Sequence, residues 1–145
     1  MTLTGRAVVA WLILCVVMFA NGALRAVVLQ PRLGEAAARQ VASLTGAGLV
    51  LLAGFLFARS NPRATSRQLL KVGAAWAAAT LIFEFSMGAL SGLGWRQMLA
   101  DYDVTRGRLW PLVVFAVLLS PWIGVRLARR RSSAGAQSRQ VTPSP

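Results

Sequence analysis

Residues 69–90 read LLKVGAAWAAATLIFEFSMGAL, an apolar run with a single carboxylate, Glu84, set inside it. A hydrocarbon core about 30 Å thick takes about 20 helical residues at about 1.5 Å each. A charge within such a span has to be paired, protonated or turned toward water. Reading outward, three further runs of the same kind occur, and the spans fall at about 8–29, 36–58, 69–90 and 109–127. Apolar residues come in blocks and not in the alternation with polar ones that an amphipathic soluble domain requires. The sequence therefore predicts an all-α fold, an integral membrane four-helix bundle over residues 1–131, with the lipid bilayer as its first partner. Four spans with short connections use nearly all of the 145 residues.

The first run also imitates a signal peptide, with Arg6, the apolar stretch Ala7 to Ala20, and small Ala20 and Gly22 at a cleavage position. Apolar character resumes at Val27, Val28 and Leu29, and another hydrophobic segment follows. A retained first span is the expectation.

Composition removes several chemistries. Cys15 is the one thiol, so the cysteine pairs of quinone-linked disulfide enzymes are missing. With no histidine, imidazole relays, haem ligation by histidine and ordinary zinc sites are absent. No enzyme activity, cofactor or metal is expected. The net charge of +12 follows topology instead of marking nucleic acid. Arg6, then Arg59, Arg63, Arg67 and Lys71, then Arg126, Arg129, Arg130, Arg131 and Arg139 all fall on one side of a four-span chain. The other side holds Arg25, Arg32, Arg39, Arg96, Arg106 and Arg108, together with all four acidic residues. The positive-inside rule places the first set in the cytoplasm, with both termini. Trp11, Trp76 and Trp122 near one set of span ends, and Trp95 and Trp110 near the other, agree with two interfacial belts. Basic residues do not interleave with aromatic ones as in single-strand binders, so no nucleic-acid partner is expected.

Local signals place the turns. Pro31 and Gly34 should end the first helix, Ser60, Asn61 and Pro62 should turn the chain, and Thr65 or Ser66 should cap the third helix. Pro121 should kink the fourth. Between spans three and four, Trp95, Met98, Leu99 and Tyr102 recur at helical spacing, which predicts a short interfacial helix. Asp101 and Asp103 flank Tyr102; a solvated loop, or pairing with Arg106 and Arg108, explains them better than a metal site. Residues 132–145 carry no apolar face and read as a disordered cytoplasmic tail. Gly73 and the alanines around it mark span three as the most enclosed helix, and a homodimer contact explains the same small residues.

The candidate site is a buried polar layer. Arg25 lies about 17 residues into the first span and Glu84 about 15 into the third, depths that agree within about one helical turn of 5.4 Å. Asn21 shares the face of Arg25; Arg39, Gln40 and Ser43 enter from span two and Arg108 from span four. An Arg25–Glu84 pair is expected near the outer leaflet. Three roles suit such a layer: a device that sets helix register, a site for an anionic small molecule or lipid headgroup, or ion- or proton-coupled transport. A partner or scaffold subunit of a membrane complex is the alternative to ligand recognition.

Asn21, Gly22 and Arg25, then Pro31, Leu33, Gly34 and Glu35, then Phe83, Glu84, Phe85 and Gly88, then Trp95, Leu99, Asp101, Tyr102, Gly107, Arg108, Leu109 and Trp110 form a string along about three-quarters of the chain. It resembles a group of small uncharacterised bacterial inner-membrane proteins. The resemblance implies the four-span arrangement and no particular activity. Four-span multidrug exporters are similar in size, but their essential carboxylate lies in the first span, where this chain has Asn21 and Arg25.

Overall fold

A computed structural model of the chain describes residues 2–100, 102–103 and 109–140, the last stretch from 128 onward as backbone alone. Among the described residues every regular element is a helix. They are α1 (Leu3–Leu33), α2 (Glu35–Ser60), α3 (Ser66–Leu90), α4 (Trp95–Ala100) and α5 (Trp110–Gln140). Four are long and apolar enough to cross a membrane, α5 by its segment Trp110–Leu127. Short connections join α1 to α2 at Gly34 and α2 to α3 across 61–65. One end of the bundle, here the basic end, gathers Arg6 and the α2–α3 turn; the other carries Gly34 and the 91–109 link.

Local chemistry explains most of the boundaries. Thr2 starts α1 by accepting from the Gly5 amide. Thr65 starts α3 in a capping box, accepting from the Gln68 amide while the Gln68 side chain accepts from the Thr65 amide. Gly34 turns α1 into α2 at φ +77°, a conformation that residues with a Cβ rarely adopt.

Pro31 does not end α1, contrary to expectation. Its ring excludes the usual bond to the carbonyl four residues earlier, and the helix accommodates this by widening upstream into a π-type turn over Arg25–Leu29. The Gln30 amide there reaches back to the Arg25 carbonyl. The helix then continues for one turn to Leu33. The far end of the chain differs as well: α5 stays helical to Gln140, beyond the point where composition alone suggests an unstructured tail.

α5 packs against both α2 and α3, and glycines make this possible. A Cβ at Gly73 would stand 2.0 Å from the Leu118 carbonyl oxygen, and one at Gly54 would stand 2.4 Å from Ser120. Val50, Leu69, Val113, Ser120 and Pro121 fill the space between these helices. The most enclosed span is α2 and not α3, with 44% of its apolar window buried against 28%. α1 is the least covered, at 11%.

The basic end is tied by side chains. The Arg6 guanidinium donates to the Ser60 carbonyl and to Asn61 Oδ1, each at 3.3 Å, while Asn61 Nδ2 donates to the Phe57 carbonyl at 2.8 Å. Trp76 is buried edge-on against Phe57 and donates to the Ala7 carbonyl at 2.9 Å. It is a packing residue, which removes it from the expected tryptophan belt.

Candidate functional site

α1 presents one strip of its surface to the interior: Trp11, Leu14, Met18, Asn21 and Arg25, spaced by three and four residues. Facing it are Thr80, Phe83, Glu84, Met87 and Gly88 of α3, with Arg39, Ala42 and Ser43 of α2 and Trp110 and Val117 of α5 completing the walls. The space they enclose is a cavity of about 690 Å³. Gln97 and Met98 of α4 and Tyr102 of the link line the end away from the basic end.

The lining is graded along the bundle axis. Toward the basic end it is Trp11, Leu14, Met18 and Val117, with Thr80 accepting from the Trp11 indole at 3.2 Å. Toward the link it turns polar, through Asn21, Arg25, Arg39, Ser43 and Glu84. Asn21 Nδ2 donates to the Ala42 carbonyl at 2.9 Å and fastens α1 to α2. Ser43, the next residue along α2, is buried.

Glu84 is held from the opposite side to the one expected. Its Oε2 accepts from Trp110 Nε1 at 2.8 Å and, more weakly, from the Tyr102 hydroxyl at 3.4 Å. Phe85 stacks on Tyr102 with ring centroids 6.0 Å apart and leans on Trp95 at 5.8 Å. Trp95, Met98 and Tyr102 are thereby folded back over α3, with Met98 seated above Gly88.

Arg25 and Glu84 line the same cavity, but the expected ion pair between them is not formed. Among the described residues, the Trp110 indole and the Tyr102 hydroxyl donate to the carboxylate. Arg25, at the first position of the widened turn, is half-buried in the wall, and its side chain makes no hydrogen bond or ion pair with a described residue. Arg39 lines the cavity too, and its guanidinium pairs with Glu35 one turn earlier on α2. Gln40 faces outward and does not reach the layer. Trp95 is 69% exposed beside the link, and Asp103 is half-buried outside the cavity wall. Arg108 and Asp101 lie outside the described residues.

Trp11, Thr80 and Trp110 join the cavity wall in addition to the polar layer expected from the sequence. Their spacing holds part of the signal, since Trp11, Leu14, Met18, Asn21 and Arg25 form a single stripe that continues the face of Asn21 and Arg25 toward the basic end. Spacing alone places Tyr102 on the link; that it turns inward to Glu84 depends on the fold of the link.

This arrangement is suited to binding. It offers a guanidinium at one end of a half-open cleft and aromatic and aliphatic walls at the other, in the size range, about 300–1,000 Å³, of small-molecule sites. Among the described residues no three carboxylate or thiol groups converge. Comparison with protein-family models, with curated proteins and with solved structures gives no match.

Proposed function

We propose that this chain is a multi-pass protein of a bacterial inner membrane, with both termini in the cytoplasm, that binds the anionic head of a ligand in the cavity near the outer leaflet. The topology follows from the charge distribution: the ten basic residues at one set of span ends meet the preference of cytoplasmic segments for lysine and arginine. The resemblance to small four-span inner-membrane proteins points the same way. The role is recognition and not catalysis.

One observation carries the ligand reading: Arg25 lines the cavity half-buried, with no counter-ion among the described residues. A guanidinium drawn out of water at membrane depth is costly, and an oxyanion that takes several of its N–H groups offsets that cost. The carboxylate at matching depth, Glu84, is engaged by Trp110 and Tyr102. Its role in this reading is to hold the link in place over the cavity.

The test is thermal unfolding of the purified chain in a neutral detergent, with and without dodecyl phosphate. A ligand present at about 100 times its Kd stabilises by about 2.7 kcal/mol. At the same ligand concentration the stabilisation should fall to about 1.4 kcal/mol in Arg25→Gln, whose affinity is about tenfold weaker, and keep its full value in Gln40→Ala. Equal stabilisation of the wild type and Arg25→Gln would remove Arg25 from the site.

A second reading, a partner subunit, draws on α1. Its outer face, with Ile13, Val16 and Phe19 at 60%, 70% and 80% exposure, belongs to the least covered of the four spans. A membrane protein or a second copy seated there would co-purify in mild detergent.

A further inference from the structure

The cavity has a gap in its wall as well as a gradient in its lining. α1 and α3 are fastened near the basic end by the bond from Trp76 to the Ala7 carbonyl and the bond from Trp11 to Thr80. Beyond those bonds Phe19 of α1 and Phe83 of α3 both line the cavity, yet they remain 80% and 52% exposed. A side chain that belongs to a cavity wall and to the outer surface at once marks an opening. That opening faces sideways, into the hydrocarbon of the bilayer if the four helices span it. The end of the cavity nearest the aqueous surface is covered instead, by Met98 over Gly88 and by Tyr102 drawn to Glu84.

We infer that the ligand is a single-chain amphiphile with a phosphate or carboxylate head, and that it enters sideways from the outer leaflet through the seam between Phe19 and Phe83. This rests on the anion reading above and narrows it. The head meets Arg25, and the chain runs past Met18 and Phe83 toward Trp11. Charge complementarity sets the orientation, because the guanidinium of Arg25 belongs to the end near the link, whereas Trp11, Leu14 and Val117 line the other. Volume sets the class: a cavity of about 690 Å³ is of the size that takes one compact ligand, and apolar groups line it on both sides along its length. A free oxyanion would leave the apolar part of this lining without a partner.

The experiment uses the full chain in phosphatidylcholine nanodiscs, with dodecyl phosphate brominated along its chain as the probe and quenching of Trp11 as the readout. The signal is the saturable component present in the wild type and missing in Trp11→Phe. The inference expects such quenching, with affinity about tenfold weaker in Arg25→Gln, the loss that follows from about 1.4 kcal/mol of charge-assisted bonding. It also expects loss of loading when Phe19→Cys and Phe83→Cys, in a Cys15→Ala background, are bridged by a bifunctional thiol reagent, with loading retained in the same variant left unbridged. Displacement of the probe by ethyl phosphate as readily as by unlabelled dodecyl phosphate would overturn the single-chain assignment and leave the anion site standing. Equal quenching by a brominated dodecanol, unchanged in Arg25→Gln, would overturn the anion site itself. Equal loading of the bridged variant would overturn the sideways route.

Discussion

The indole N–H of Trp110 donates to Glu84 Oε2 at 2.8 Å, joining the first turn of α5 to the last third of α3. The bond fastens α5 to α3 at the end of the cavity near the link. It engages the carboxylate from the α5 side, while the Tyr102 hydroxyl bond to the same oxygen draws the link over the mouth. Arg25 is left on the opposite wall, facing the interior.

Replacing the donor tests that relationship. Trp110→Phe keeps an aromatic ring and removes the N–H, and loss of this donor to a half-buried carboxylate should destabilise the protein by about 1–3 kcal/mol. Glu84→Gln keeps a carbonyl acceptor and should lose less than Glu84→Leu. Thermal unfolding in one neutral detergent gives the order directly.

Arg25 and Glu84 should act independently. With no ion pair between them, the stability changes of Arg25→Gln and Glu84→Gln are expected to add within about 0.5 kcal/mol in a double-mutant cycle. A coupling well above that value, with the double variant recovering what each single variant loses, would restore the paired arrangement.

Close packing of α5 gives a prediction of a different kind. Gly73→Ala drives a methyl group into the Leu118 carbonyl and should cost about 1–3 kcal/mol as α5 is pushed off α3. Gly48 is exposed, with no heavy atom within 4 Å of where a Cβ would stand, so Gly48→Ala should be neutral or stabilising by up to about 1 kcal/mol. Accumulation in membranes and thermal unfolding should rank the two in that order.

At the basic end, Asn61→Ala removes the donor to the Phe57 carbonyl and the acceptor for Arg6 from a buried position, and should cost about 1–2 kcal/mol. Arg6→Gln gives up an exposed charge and should cost less than about 1 kcal/mol. Unfolding of the two variants side by side checks the difference.

What is legible in the sequence is what is encoded locally. The apolar runs mark the four long helices, Thr65 or Ser66 marks a cap, Gly34 marks a turn, and the three- and four-residue spacing from Trp95 marks the short helix α4. What is not legible depends on contacts between distant segments. Pro31 signals a helix end by itself, but a widened turn just upstream absorbs it. Gly73 correctly signals close approach, yet the same approach buries α2 more deeply than α3, because α5 packs on both. Matching depth brings Arg25 and Glu84 to one cavity, as the residue count predicts. Two described partners of Glu84, Tyr102 and Trp110, come from beyond α3 in the chain, and no periodicity records those contacts.

The most direct measurement is the identity of what travels with the protein. Wild type and Arg25→Gln would be extracted from native membranes in the same mild detergent, and their bound small molecules compared by mass spectrometry. The account predicts an anionic single-chain amphiphile bound to the wild type and depleted with Arg25→Gln, whose affinity for it is about tenfold weaker, the same loss of charge-assisted bonding as above. The same complement of lipids on both proteins, or no retained anion on either, would contradict it.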